Sequence, residues 1–370
     1  MLVAEDALRL NVLLANQPLA IRINESTMTV HGLTARGEAE IRLHPDCRAE
    51  QYVKRVREML SGHVLGSPGG YPVYLQRWTR MGQMRDQSLE QLLLLGEPEA
   101  VVAAVCAPGL TDELARRAWW VMEDAENARR MLYREAVVRG SMGAVLAGYL
   151  AEHLPFESEP AKMIETVCLV LQPGLIDDAA RDDLWRKAVR RNAYYVGFLA
   201  ALPDALPVEA QAHPLAAGLA PALAELAADP LAALVSRVLA PAGQAYLDTV
   251  KLVLDKPTNQ DVVNSLLNVV AAYFSALRPE GVPDATIDVL QAEAQTFAAS
   301  LGGAFGRLVE REPALRDLVL AMRVLSGLSY GVVRPVFGDS TAIGSLMRRK
   351  LEPLFAPLRG HVDRLRGGRR

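Results

Sequence analysis

Cysteine is scarce in this sequence, and no catalytic motif is recognisable. Cys47, Cys106 and Cys168 are the three cysteines in 370 residues, and they lie far apart. An odd number of distant cysteines argues against a disulfide framework and favours a reducing compartment. None of the six histidines is paired at metal-ligand spacing with another His, a Cys or a suitable carboxylate, so we expect no metal site. We likewise expect no cofactor, and a protein that is not an enzyme.

The sequence also has little net charge and no long uninterrupted apolar run. Its formal charge of -3 gives the whole chain no strong preference for nucleic acid. The most apolar stretch, HPLAAGLAPALAELAADPLAALVSRVLA, is interrupted by Pro221, Glu225 and Asp229, so it does not predict a membrane span. Glu5 and Asp6 interrupt the apolar N-terminal segment, which does not resemble a signal peptide. We therefore expect a soluble cytoplasmic protein.

The pattern that is present predicts a mainly α fold in three segments. Residues 1–85 read as a small α+β domain, in which PLAIRIN, TMTVHGL and EAEIRLH form an antiparallel meander between two helices. Residues 86–205 contain short apolar helices separated by Gly, Pro and Asp, typical of a HEAT-like α-helical repeat, or solenoid. Residues 206–370 read as a helical C-terminal domain with a basic tail.

An internal repeat supports the helical-repeat prediction. PGLTDELARRAWW (108–120) aligns without gaps with PGLIDDAARDDLW (173–185), an offset of 65 residues. We interpret the copies as structural equivalents whose conserved spacing serves the core and the helix caps, with Thr111 or Asp177 as the cap. The matched pairs that carry this interpretation are Arg116 and Arg181, Trp120 and Trp185, and Asn127 and Asn192.

The loop GHVLGSPGGYPVYLQRWTRMG (62–82) has the small residues of a phosphate-binding loop. It lacks the Lys of a P-loop and leaves a predicted helix rather than a strand, so a structural double turn is the favoured interpretation. The alternative is an anion- or partner-binding rim formed by His63, Arg77, Trp78 and Arg80.

Two basic segments are the other candidate binding surfaces. Arg186, Lys187, Arg190 and Arg191 precede Tyr194 and Tyr195, a combination that suits phosphate contact with base stacking.

The tail, residues 348–370, contains Arg359, Arg364 and Arg366 among eight basic residues, and apolar residues recur every three or four positions. We expect Pro353 and Pro357 to interrupt a helix there. The apolar stripe docks on the helical body, and the basic face is either only solvated or binds an acidic partner, nucleic acid or a membrane surface. Deleting residues 359–370 is then expected to leave the fold intact.

Longer strings in the first half of the chain resemble a known family. LRLNVLLAN, LSGHVLGSPGGYPVYLQRWTRMGQ, LEQLLLLGEPEAVVAAV, PGLTDELARRAWW and NAYYVGFLAALP, within residues 7–205, resemble the sulfur reduction protein DsrS family. That family is encoded with the dissimilatory sulfite reductase genes of sulfur-oxidising bacteria. The resemblance implies a cytoplasmic accessory or regulatory protein with a protein partner in the sulfur oxidation system, and it supplies no catalytic residue.

Two other functions remain as alternatives at this point. The first is a nucleic-acid-binding regulator that uses the arginine-rich surfaces. The second is a sulfur-transfer enzyme with a reactive cysteine. The mostly apolar neighbours of Cys106 and Cys168 argue against the second, because they favour the neutral thiol.

Overall fold

The structure is a computed structural model, and it describes residues 2–66, 87–278, 284–338 and 344–367. These residues form twenty α-helices and one three-stranded antiparallel sheet, which confirms the predicted mainly α fold with a small N-terminal α+β portion. The chain divides into two compact units, Met1–His153 and Leu154–Arg370.

The predicted meander is the sheet of the first unit. Its strands are β1 (Ala20–Asn24), β2 (Thr29–Thr34) and β3 (Gly37–Arg42), in the order β1-β2-β3. Helices α1 (Ala4–Ala15) and α2 (Ala49–Leu65) contribute apolar side chains to the same core as the buried sheet residues. The alternation of β-branched and polar residues in these short segments therefore predicted their structure correctly.

The described residues of the first unit contain six further helices: α3 (Gln87–Leu92), α4 (Pro98–Cys106), α5 (Asp112–Val121), α6 (Ala125–Leu132), α7 (Glu135–Val138) and α8 (Ser141–His153). They are joined to the meander. The backbone N–H of Ile21 donates to the Leu93 carbonyl over 2.8 Å, and the Arg22 guanidinium lies 4.7 Å from the centre of the Trp120 ring. The division between the two units therefore does not coincide with the predicted boundary after residue 85.

Within the described residues, the second unit contains helices and no strand. A 3₁₀ turn (Leu154–Phe156) is followed by α9 (Pro160–Val170), α10 (Asp178–Ala188), α11 (Asn192–Ala201), α12 (Ala216–Glu225), α13 (Pro230–Leu239), α14 (Pro241–Asp255), α15 (Gln260–Tyr273), a 3₁₀ turn (Ser275–Leu277), α16 (Ile287–Ala299), α17 (Gly303–Arg311), α18 (Ala314–Ser326), α19 (Tyr330–Phe337) and α20 (Gly344–Leu365). Helix α11 packs against α14 and α15, so the predicted boundary after residue 205 lies within this unit.

The two repeat segments are both helical, and two local features recur. Thr111 accepts a hydrogen bond from the N–H of Leu114 at the start of α5, and Asp177 accepts one from Ala180 at the start of α10. At the 65-residue offset, the ion pair of Arg116 with Glu113 corresponds to that of Arg181 with Asp178. The caps differ by one position, because Asp112, the aligned partner of Asp177, instead accepts hydrogen bonds from the start of α8.

The matched tryptophans and asparagines have different surroundings. Trp120 lies under Arg22 of β1, whereas Trp185 packs edge-on against Tyr195 and Phe198 of α11. The Asn127 amide donates to the Met122 carbonyl just before its own helix, whereas Asn192 bonds to the segment after α14. Both copies are helical, but the matched Trp and Asn side chains contact different partners in the two copies.

Helix α20 (Gly344–Leu365) is one continuous helix of 22 residues that includes both prolines of the tail, so the expected interruption at Pro353 and Pro357 is wrong. Pro353 and Pro357 leave the carbonyls of residues 349 and 353 without their helical donors. Arg349 and Pro353 are exposed, so water can reach those carbonyls. On the opposite face Leu351, Phe355, Leu358, Val362 and Leu365 are buried, and this packing against α14 and α18 holds the helix together.

Candidate partner-binding cleft

Helix α14 contacts α11 and α20, and an open cleft of about 620 Å³ lies along it. We call this the α14 cleft. The turn between α10 and α11 contributes Val189 and Arg190, the second half of α14 contributes Leu252 among others, and Lys256 follows α14. Arg348, in the first turns of α20, completes the wall. A volume in this range is typical of ligand pockets.

Several charges around the α14 cleft neutralise one another. Arg366 contacts Asp248 over 2.5 Å, and Lys251 contacts Asp363 over 2.5 Å. Arg359 lies 3.7 Å from Asp255 and also pairs with Glu352. Arg359 and Arg366, predicted as binding residues of a free basic face, therefore tie α20 to α14 and are mostly buried.

The ion pairs on α20 also shift the acidity of Asp363. Burial alone raises the pKa of a carboxyl group. The hydrogen bonds from Lys251 and Arg366 outweigh that effect, and the pKa of Asp363 lies below its usual value. This carboxylate therefore stays ionised at neutral pH, and the contact between α14 and α20 keeps its charge pairing.

Three cations of the α14 cleft remain without such a partner. Arg190, Lys256 and Arg348 are exposed, and within the described residues none of them has a carboxylate at ion-pair distance. With Lys251 they make four positive charges in the lining, against two carboxylates, a formal balance of +2. The chain as a whole is -3, so positive charge is concentrated here.

Aliphatic side chains also face this cleft. Val189 is 77% exposed and Leu252 is 49% exposed, and both line the cleft together with the cations. Exposed aliphatic residues are ordinary when they are single and scattered. Here Val189 and Leu252 lie in one concave site beside the three exposed cations. Such a surface can attract a ligand through both apolar contact and charge.

Asn192 fixes one wall of the α14 cleft. Its side-chain amide donates to the Lys256 carbonyl over 2.7 Å, and its oxygen accepts from the Thr258 hydroxyl over 2.9 Å. These two bonds hold the segment that carries Lys256 against the start of α11. The sequence predicted Asn192 only as a repeat equivalent of Asn127. Its structural role was not predictable from local pattern, because its bonding partner Lys256 is 64 positions away.

Only one member of the predicted basic cluster lines the cleft, and that is Arg190. Arg186 and Lys187 both pair with Asp183 on α10. Arg191 donates to the carbonyls of Glu157 and Pro155, over 2.8 and 2.9 Å. It therefore joins the start of α11 to the segment before α9.

The remaining predicted residues lie elsewhere. Arg364 is exposed and donates to Nδ1 of His361, which is itself buried. Burial and the nearby Arg364 charge lower the pKa of His361 to about 4, so this imidazole is neutral at pH 7. His63 is exposed in the last turn of α2. Arg77, Trp78 and Arg80 lie outside the described residues.

The tyrosines next to the basic cluster are not available for base stacking. Tyr194 is 1% exposed and donates to the Leu154 carbonyl, and Tyr195 is 6% exposed against Trp185. Burial raises the pKa of both hydroxyls. The predicted combination of phosphate contact with stacked bases is therefore wrong for these two rings, which belong to the core of the unit.

Among residues 2–66, 87–278, 284–338 and 344–367, no three His, Cys, Asp or Glu side chains gather as they would around a metal ion. No single helix in those ranges is long and apolar enough to cross a bilayer. Helices α18 and α19 reach that length and composition only together, across a bend of 62°.

Two cysteines differ in accessibility, since Cys106 is exposed and Cys168 is half-buried. Cys106 is exposed at the end of α4. Cys168 lies in α9 and donates to the Gly197 carbonyl. Burial and the nearby Glu165 carboxylate raise the pKa of Cys168 to about 11. The thiol of Cys168 is therefore neutral at physiological pH.

We expect iodoacetamide at pH 8 to modify Cys106 at least about tenfold faster than Cys168, because roughly one Cys168 thiol in a thousand is ionised at that pH. Peptide mapping by mass spectrometry over a time course measures both rates in the same sample. Denatured protein is the control, since unfolding should make the two rates similar. Faster modification of Cys168 in the folded protein would instead favour the sulfur-transfer alternative.

The chain matches no protein-family model, no curated protein and no solved structure.

Proposed function

We propose that this chain is a non-catalytic accessory or regulatory protein that supports bacterial sulfur oxidation in the cytoplasm by binding a macromolecular partner. The setting comes from the resemblance of residues 7–205 to the DsrS family. The observation that carries the binding role is the α14 cleft, where Arg190, Lys256 and Arg348 line the wall together with exposed aliphatic side chains and have no carboxylate partner among the residues that the structure describes. The sulfur-transfer alternative has less support at Cys168, because burial and Glu165 keep its thiol neutral.

The architecture suits a binding role. Helix α14 packs against both α11 and α20, so the cations are presented from three different elements of one helical unit. A rigid concave surface reduces the ordering cost of association, because fewer backbone groups must be immobilised when the partner binds. The tail contributes to this surface through Arg348, while Arg359 and Arg366 pair with carboxylates of α14 and hold α20 in place.

A complementation experiment tests this function. A sulfur-oxidising bacterium that carries the gene would have it deleted and then receive either the wild-type gene or the triple variant Arg190→Glu, Lys256→Glu and Arg348→Glu. We expect the wild type to restore oxidation of stored sulfur and the triple variant to leave it near the deletion level. The three residues are exposed, so the variant is expected to fold.

The control is Arg186→Glu with Arg139→Glu, which reverses two exposed arginines outside the α14 cleft. This control should restore sulfur oxidation as the wild type does. If the deletion strain oxidises sulfur at the wild-type rate, the proposed function is wrong. If the triple variant is present at normal abundance and restores full activity, the α14 cleft is not the site that matters.

A further inference from the structure

We infer that the α14 cleft binds an acidic segment of a partner protein in which carboxylates lie on either side of an aliphatic side chain. This inference rests on the proposed function and adds the chemistry of the partner. It starts from the distribution of groups in the cleft. Positive charge comes from the α10–α11 turn, from the end of α14 and from the first turns of α20, and the exposed aliphatic surface lies on two of these elements.

Charge complementarity sets the sign of the occupant. Arg190, Lys256 and Arg348 have no carboxylate partner within the described residues, whereas the other cations along this face are paired internally. A carboxylate that enters the α14 cleft therefore meets donors that do not have to give up an existing ion pair. Charge-assisted hydrogen bonds from Arg and Lys to carboxylates are among the stronger polar contacts in proteins.

The apolar part of the lining argues for a protein segment rather than nucleic acid. Val189 and Leu252 offer aliphatic surface, which an aliphatic side chain covers and a phosphodiester backbone does not. The aromatic side chain in the lining, Tyr195, is 6% exposed, so it offers no face on which a base can stack.

Fluorescence anisotropy with the full chain tests this chemistry. The probe is a fluorescein-labelled peptide in which glutamates alternate with leucines. Two comparison peptides replace every glutamate by glutamine or every leucine by serine. We expect the glutamate–leucine peptide to bind at least about tenfold more tightly than either comparison peptide, with an affinity that falls as salt is raised.

Variants locate the binding. Arg190→Gln combined with Lys256→Gln should weaken the peptide at least about tenfold, and Leu252→Ser should weaken it severalfold. The control, Arg186→Gln combined with Lys187→Gln, removes the same formal charge from the neighbouring helix and should stay within about twofold of the wild type. Circular dichroism checks that every variant is folded.

Three results would overturn the inference. The first is equal affinity of the cleft variant and the control variant for the glutamate–leucine peptide. The second is tighter binding of an unstructured DNA or RNA oligonucleotide through the same residues, which would favour the nucleic-acid alternative. The third is that no peptide binds at low salt.

The peptide experiment and the complementation experiment fail separately. If the peptide does not bind but the triple variant stops sulfur oxidation, the chemistry inferred here is wrong and the proposed function stands. If the peptide binds as expected and the deletion strain oxidises sulfur normally, the chemistry stands and the sulfur-oxidation role is wrong.

Discussion

A chain that ends at Leu358 is expected to lose the stable fold of its second unit, contrary to the expectation from sequence that the last residues are dispensable. Val362 and Leu365 are fully buried, and the Gln244 amide donates both to the Leu365 carbonyl and to the Val238 carbonyl. Removing a buried aliphatic side chain costs about 2–5 kcal/mol. Losing two of them, together with the acceptor of a buried amide, removes more than about 5 kcal/mol, which is comparable with the whole stability of many domains.

Urea denaturation followed by far-UV circular dichroism measures this loss. The control is the full-length variant Arg359→Gln, Arg364→Gln and Arg366→Gln, which removes basic charge and keeps the apolar stripe. Its ion pairs are surface or partly buried, so we expect it to remain folded with a loss of about 1–3 kcal/mol. If the shortened chain unfolds cooperatively at the urea midpoint of the wild type, the packing of α20 described above is wrong.

Gly243→Ala is expected to destabilise the second unit by about 3 kcal/mol. Gly243 lies in the first turn of α14, against the end of α13. A Cβ atom there would stand 2.2 Å from the Arg237 carbonyl oxygen and 2.7 Å from that of Val238. Those atoms belong to the backbone, so the new methyl group has to displace one helix relative to the other, which is the costly form of overpacking.

Gly218→Ala in α12 is the matched control, because a Cβ atom at Gly218 meets nothing within 4 Å. Inside a helix that change should stabilise by roughly 0.5–1 kcal/mol through the lower entropy of the unfolded chain. The urea midpoints of the two variants should therefore move in opposite directions. Equal midpoints would show that the α13–α14 contact is looser than described. A displaced α14 should also weaken peptide binding, since α14 carries Leu252.

Local patterns predicted the elements of this fold but not their assembly. Alternation in the three short strands and the caps at Thr111 and Asp177 are properties of neighbouring residues, so the sequence predicts them directly. The prolines of α20 misled the prediction, because their cost depends on whether the freed carbonyls face water. That orientation is decided by tertiary packing against α14 and α18.

The α14 cleft could not be predicted from the sequence, because its lining residues come together only through tertiary packing. Arg190 belonged to a predicted cluster, but Leu252 and Lys256 follow no motif, and Arg348 belonged to a different predicted surface. The number of charges in a segment does not show which of them stay unpaired after folding. Arg359 and Arg366 illustrate the difference, because folding pairs them with carboxylates of α14.

The most direct test of the central claim is photo-crosslinking from inside the α14 cleft in sulfur-oxidising cells. A benzophenone amino acid would replace Leu252, and a second strain would carry it at Phe156, which is 84% exposed and does not line the cleft. The account predicts a protein adduct from position 252 that is lost when Arg190 and Lys256 are reversed to glutamate, and that is missing from position 156. An adduct unaffected by those reversals, a nuclease-sensitive adduct, or the same adduct from both positions would contradict it.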